Sequence, residues 1–485
     1  MFVGEDCSGT FRAMSGRSDV ARVGAVSGPS GGSMSMAAGE LARRIDGTSA
    51  RAVAASISRL VTSGDLAPGT RLPTVRALAK ALGVSPTTVN QAWQSLGRAG
   101  VVETRGRNGT HVRPEPGSRG PQRYRRMNAA AGPLRLDLSL GTPDPDLLPA
   151  LGAALARVAG RALPQGYLAD PVLPELEAAL RDRWPFEPGA LTVVDGAMDA
   201  LDRLTALTVR LGDVVLVEEA AFPPVLDLLD TVGAEVVPIA MDDEGMVPAA
   251  LRAALARRPI AVYVQPRAHN PLGVGLTPRR AAALSALLEP SGAWVFEDDH
   301  AGDIATNPLL SLGAHLPART VLVQSFSKSF GPDLRLAAVG GPDDLVGELV
   351  ARRLLGAGWS SRLLQGVLLD LLADPATADT LAAARAAYAR RRASLADALA
   401  ERAIGTTGQD GINLWVEVAD EQLAAHRLAT HGIGVAVGSP FVPGRPSRPD
   451  DHIRVTSGLV RDGVTALADL VAAAAAPPSP RTRAW

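Results

Sequence analysis

Apolar positions divide the chain into two regimes. Near the N-terminus they recur at helical spacing: Val53, Ile57, Leu60 and Val61 predict a helix from Ala50 to Val61, and Thr74 to Leu82 a short one closed by Gly83. Ser85 as N-cap and Pro86 at the first helical position open a third helix, with Val89, Trp93 and Leu96 on one buried stripe and Gly100 as its stop. Val101–Thr104 and Thr110–Val112 flank the tip Arg105-Gly-Arg-Asn-Gly109, whose glycines and asparagine suit positive φ, so a hairpin is expected. From about residue 133 the pattern changes. Helical stretches alternate with apolar runs at Val214–Val217, Ile260–Val264, Ala293–Phe296 and Thr320–Val323, which predicts a mainly parallel sheet covered by helices, an α/β domain.

Between the two regimes, residues 114–132 hold Pro, Gly, Ser and Arg without periodicity and are expected to be a linker. Residues 1–36 are rich in Gly, Ser, Ala and Arg and lack the apolar centre of a signal peptide. They are expected to be a disordered extension, or an over-long start with Met34 or Met36 as the initiator. The expected division is therefore 37–113, linker, 133–475, and a polar tail at 476–485.

Composition narrows the class. Apolar residues make up 46% of 485, ample for buried cores, and a net charge of −1 supplies no global pull towards nucleic acid or membrane. The single cysteine, Cys7, allows no intramolecular disulfide and no cysteine metal cluster, which fits a reducing cytoplasm. No apolar run approaches the roughly twenty residues of a membrane span. Charge is nevertheless uneven. From Arg71 to Arg126 there are eleven Arg or Lys against two acids, Glu103 and Glu115, which points to phosphate binding by the three helices and their hairpin.

Lysine is the other departure. Only Lys80 and Lys328 occur among 49 basic side chains. Arginine keeps its proton at accessible pH, whereas a desolvated lysine amine can lose it and condense with an aldehyde. Lys328 lies in Thr320-Val-Leu-Val-Gln-Ser-Phe-Ser-Lys-Ser-Phe-Gly331, an apolar run that breaks into hydroxyls and glycine. If it holds pyridoxal 5'-phosphate, the ring nitrogen needs a carboxylate, for which Asp298 at the end of an apolar run is placed. The phosphate needs hydroxyls, helix N-terminal amides and a cation: Ser325, Ser327, Arg335 and the turn Gly196-Ala197-Met198. Phe222 is the candidate platform for the ring face, and Asn270 and His300 are candidates for the ring hydroxyl.

Two resemblances gather these residues. Leu66-Ala-Pro-Gly-Thr-Arg-Leu-Pro-Thr-Val-Arg-Ala-Leu-Ala, Leu82-Gly-Val-Ser-Pro-Thr-Thr-Val and Gly109-Thr-His-Val resemble the GntR-type winged helix-turn-helix. That resemblance implies DNA contacts from Arg71, Arg76, Ser85, Thr87, Thr88, Asn90, Arg107 and Gly109, with the third helix in the major groove. From Leu134 to Ala475 the chain resembles fold-type I, class I aminotransferases, through Tyr167, Gly196, Phe222, Asn270-Pro-Leu-Gly273, Asp298, Ser-Phe-Ser-Lys328, Arg335 and Arg454. By that resemblance Tyr167 reaches the phosphate of a partner subunit, Arg454 clamps a substrate carboxylate, and the site needs a homodimer. Three positions depart from the pattern: Val172 stands where glycine is usual, Ala197-Met198 lacks polar side chains, and His300 replaces a tyrosine.

A winged helix fused to a pyridoxal phosphate-dependent transferase fold resembles the MocR subgroup of GntR regulators. The resemblance implies a cytoplasmic, cofactor-dependent transcription factor that binds a double-stranded operator with two half-sites and senses a small amino compound. A working aminotransferase with an accessory DNA-binding domain is the alternative, and a cofactor-free scaffold a third.

Overall fold

The computed structural model describes residues 35–113, 122–127, 134–164, 166–167, 169–443 and 451–477. Most of the expected extension, linker and tail lies outside the described residues.

The N-terminal helices form as their caps dictate. Ala50–Thr62 is capped by Ser49, Val75–Leu82 by Thr74 with Gly83 at φ 69°, and Pro86–Arg98 by Ser85. Val53, Ile57, Leu78, Val89, Trp93 and Leu96 meet in one core, joined by Leu41 from a further short helix, Ala38–Ala42, that the periodicity did not announce. Val102–Thr104 pairs antiparallel with Thr110–Val112, and the tip carries Gly109 at φ 85°. Three helices and a wing result.

Within the expected linker, Gln122–Met127 is a helix that the aperiodic sequence does not announce. Its sequence is locally unremarkable; its partners are tertiary. The Asp227 carboxylate accepts from the amides of Arg123 and Tyr124 at 3.0–3.1 Å, and the Arg123 guanidinium reaches Asp230. Met127 is buried among Trp415, Ala436 and Phe441.

The large unit is built on a seven-stranded sheet in the order Ala190–Val194, Ala337–Gly341, Thr320–Ser325, Trp294–Asp299, Ala261–Val264, Val214–Glu218, Glu235–Ile239. Only Ala337–Gly341 runs antiparallel to its neighbours. The four apolar runs singled out in the sequence lie side by side at the centre, with apolar clusters on both faces, as parallel strands require. Their carboxyl ends deliver Glu218, Asp298, Asp299 and Ser325 to one edge, the usual place for a ligand in an open α/β sheet. A second sheet, Thr406–Thr407, Leu414–Glu417, His452–Val455, Ala436–Val437, brings Arg454 to the same region. Among the described residues no helix is long and apolar enough to cross a membrane.

Candidate functional site

Lys328 follows the central strand Thr320–Ser325 and donates its Nζ to the Gly141 carbonyl. Burial first, and then the Arg454 cation, pull the amine from its ordinary 10.5 down to about 8, with Asp298 opposing. Half of it is a free nucleophile near pH 8. Capture of an aldehyde is therefore expected to rise with pH and level off above about 8, measurable as the rate of absorbance change on mixing.

Asp298 ends the neighbouring strand. Its Oδ2 accepts from Gln265 Nε2 at 2.9 Å, while Oδ1 is buried with no partner among the described residues. Burial raises the carboxyl to about 6, so it is ionised at neutral pH. Gln265 is itself fixed: its amide donates to Glu218 Oε2 at 3.0 Å and its Oε1 accepts from Asn270 N at 2.7 Å. A small cavity beside Asp298 is lined by Phe222, Tyr263, Gln265 and Phe296. Phe222 stands just before the helix Pro223–Val232, which holds it at the mouth of this cavity.

Arg454 is 1% exposed, yet no acidic side chain pairs with it among the described residues. Its Nη1 donates to Asn270 Oδ1 at 3.1 Å and its Nη2 to the Ser139 carbonyl, while Nε is left without a partner. The guanidinium lies 5.2 Å from the Phe441 ring centroid and against Gly141, where a Cβ would approach Nη2 to 3.3 Å. Burial lowers this arginine to about 10. A buried cation with a free edge is a receptor for an anion.

At the carboxyl end of the strand Ala190–Val194, Gly196 at φ 99° turns the chain into the helix Ala197–Thr208, which Ala197 and Met198 open. Arg335 lies against that turn: its Nη2 donates to the Asp195 carbonyl at 2.9 Å, and a Cβ on Gly196 would come within 2.7 Å of it. Ser325 Oγ accepts from Ser327 N at 3.3 Å. His300 follows Asp299, with Nε2 2.8 Å from the Ala268 carbonyl.

Tyr167 makes none of these contacts. It is 83% exposed and edge-on to Trp359 at 6.0 Å, and Leu355 and Leu363, which flank Trp359 in the sequence, are exposed as well. The sequence did not single out Gly141, Ser139, Gln265 or Phe441. Gln265 was findable, as the first polar residue after the strand Ala261–Val264; the others act through carbonyls or packing and leave no motif.

In the winged helix, Arg71, Arg76, Ser85, Thr87 and Asn90 are exposed on one unit and Thr88 is half-buried. Ser85 Oγ accepts from Thr88 N at 3.1 Å and pairs with Thr88 Oγ1 at 2.9 Å, closing the helix N-terminus. Arg71 lies across Gly109, where a Cβ would meet its Nε at 3.2 Å, tying the segment before the helix Val75–Leu82 to the wing. The Arg107 side chain lies outside the described residues.

Residues 49–112 match the bacterial regulatory proteins of the gntR family, and residues 135–470 match aminotransferase class I and II. The vitamin B6 salvage pathway transcriptional repressor PtsJ of Salmonella typhimurium is 36% identical over 86% of this chain and 96% of its own length. The chain belongs to the MocR-type GntR regulators. Another MocR-type relative, the pyridoxine biosynthesis regulator PdxR of Corynebacterium glutamicum, is 28% identical over 84% of this chain and 94% of its own. The large domain of this MocR-type protein has the aminotransferase fold. It superposes on LysN, the α-aminoadipate aminotransferase of Thermus thermophilus, with TM-score 0.63 at 21% identity, covering 73% of this chain and 97% of that one.

Proposed function

We propose that the chain is a cytoplasmic transcription regulator that binds a two-half-site DNA operator as a homodimer, holds pyridoxal 5'-phosphate on Lys328, and responds to an amino compound bearing a carboxylate. One observation carries the reading: a desolvated lysine amine interacts with both a carboxylate and a buried arginine, and among the described residues the carboxylate's Oδ1 lacks a donor and the arginine an acidic partner. The cofactor fits that set. Asp298 would hold its ring nitrogen through Oδ1, which has no partner among the described residues, and Phe222 lines the adjoining cavity. The Gly196–Met198 turn, Arg335 and the Ser325–Ser327 segment fit a phosphate, with amides at a helix start and a fixed cation. When bound, the cofactor supplies an aldehyde that amines attack and a ring that withdraws electrons.

The protein's own groups do the rest. Lys328 offers a free amine at neutral to mildly basic pH, Arg454 would orient an incoming carboxylate, and Asn270 is oriented by the hydrogen bond that its Oδ1 accepts from Arg454. With the cofactor bound, an effector amine would compete with Lys328 Nζ for the same aldehyde carbon. Tyr167 and its apolar surroundings fit a second copy of the chain, whose phosphate site the tyrosine would complete. Ala197 and Met198 bring no hydroxyl to the phosphate and His300 no phenol to the ring, which favours sensing over turnover.

A physical route joins the pocket to the DNA-binding unit. The helix Pro223–Val232 starts beside Phe222 and, about 15 Å on, ends at Gly233 and Ala234. There the Ala234 carbonyl accepts from Arg98 at 3.0 Å, and a Cβ on Gly233 would meet Ala99 at 3.1 Å. Leu211 packs onto the winged-helix core, Arg51 pairs with Asp213 at 2.5 Å, and the linker helix is latched to Asp227 and Asp230. A small shift of this helix on effector binding therefore reaches the end of the third winged-helix element.

Leu211→Asp is expected to loosen this dock and reduce the effector's influence on operator affinity by about fivefold or more, with cofactor capture unchanged. Fluorescence anisotropy on labelled operator, with and without amino acids, measures it. Arg76→Ala is expected to weaken binding to all DNA sequences and to shrink the slope of log affinity against log salt by about 1; an unchanged slope excludes a phosphate contact. The regulator reading is tested by the same anisotropy assay run beside a transamination assay with an amino acid and a keto acid. Effector-dependent DNA affinity without steady turnover supports it, and steady turnover with indifferent DNA binding supports an enzyme instead.

A further inference from the structure

His300 occupies the position from which the class I pattern presents a tyrosine hydroxyl, and its own hydrogen bond decides what it can offer. A carbonyl oxygen only accepts, so the contact of Nε2 with the Ala268 carbonyl at 2.8 Å puts the ring's proton on Nε2. A neutral imidazole has one N–H. Burial, and then the Lys328 cation, push His300 down to about 4, which keeps it neutral at working pH. Nδ1 has no hydrogen-bond partner among the described residues and is a bare lone pair.

The bond to Ala268 has a separate task. Ala268 is a non-glycine residue at φ 46°, the left-handed region, and Asn270 follows two residues later. His300 thus holds in place the turn that presents Asn270. The Asn270 amide is oriented as well, because Arg454 can only donate and takes its Oδ1 at 3.1 Å. Its Nδ2 is left as a donor facing no described partner.

We infer that His300 is a positioning residue which pins the Ala268 turn and donates nothing to the cofactor's ring hydroxyl, leaving Asn270 as the one side-chain donor to that oxygen. The inference rests on the cofactor reading above. A donor to a phenolate stabilises it and makes the proton it shares with the neighbouring imine nitrogen easier to lose. With one donor in place of two, the Lys328 imine keeps its proton to higher pH than it would with a tyrosine at position 300. The charged and titratable groups around this proton are Lys328, Asp298, Asp299, Glu218, His269 and Arg454, and none of them replaces the missing phenol.

Two measurements on the full-length protein loaded with pyridoxal 5'-phosphate test this. In a pH titration of the cofactor's absorbance, His300→Tyr is expected to lower the imine pKa by about one unit or more relative to the parent. An unchanged or raised value overturns the inference. Solid-state 15N spectra of protein labelled at its seven histidines, with His300→Phe for assignment, read the proton directly. Nδ1 of His300 unprotonated in the loaded protein supports the inference, and Nδ1 protonated overturns it whether or not the tyrosine variant folds. Absence of any imine band in the parent protein is a different failure, which removes the cofactor reading and this inference with it.

Discussion

Lys328→Ala is expected to abolish covalent capture of pyridoxal 5'-phosphate and every effector response, with operator binding retained. The reason is chemical: no other lysine lies in the large domain, and the arginines around the pocket cannot form an imine. Lys80, in the winged helix, cannot substitute. The variant also changes stability in a defined direction. In the cofactor-free protein the amine is lowered from 10.5 to about 8, so the unfolded chain binds the proton more tightly than the folded one. The lysine therefore costs stability in full below about pH 8, and the cost fades between pH 8 and 10.5. Alanine removes that cost, so the variant's relative melting temperature is highest below pH 8 and its advantage shrinks above it. An effector response that survives in this variant contradicts the sensing role of Lys328.

Arg454→Ala carries the second large effect. The guanidinium is buried, is positioned by Asn270 and Ser139, and has no counter-ion among the described residues, so an effector carboxylate would find its binding partner already oriented. Loss of such a desolvated charge pair costs about 3 kcal/mol, roughly a hundredfold in effector affinity. Arg454→Lys keeps a charge but not the planar fork and is expected to recover only part. Cofactor capture survives in both. Its pH dependence moves, because the Arg454 cation helps hold the Lys328 amine down: without it the amine titrates higher, and capture levels off at higher pH. Effector titrations by calorimetry and capture rates against pH read the two effects separately.

Much of this was legible in the chain. Caps and breakers fixed the winged helix, since Ser85, Pro86, Gly83 and Gly109 act through their own backbone geometry. The four apolar runs became adjacent central strands because burial on both faces demands uninterrupted apolar side chains. Lys328, Asp298 and Arg454, far apart in sequence, carry charges that an apolar interior tolerates only for a purpose, and the fold brings them together. What escaped has partners distant in sequence. Gln122–Met127 is helical because Asp227 caps it and Met127 finds a pocket, neither of which its own composition reveals. The Ala268 carbonyl beside His300 Nε2 is another partner distant in sequence that no motif around His300 reveals. Gly141 takes part through its carbonyl, which any residue possesses.

The central claim is that Lys328 holds pyridoxal 5'-phosphate. The direct measurement is the absorbance spectrum of the purified protein with added cofactor, followed by borohydride reduction and peptide mapping. The account predicts an imine band that reduction fixes on Lys328. A protein that binds its operator yet shows no band, or carries the label elsewhere, contradicts it.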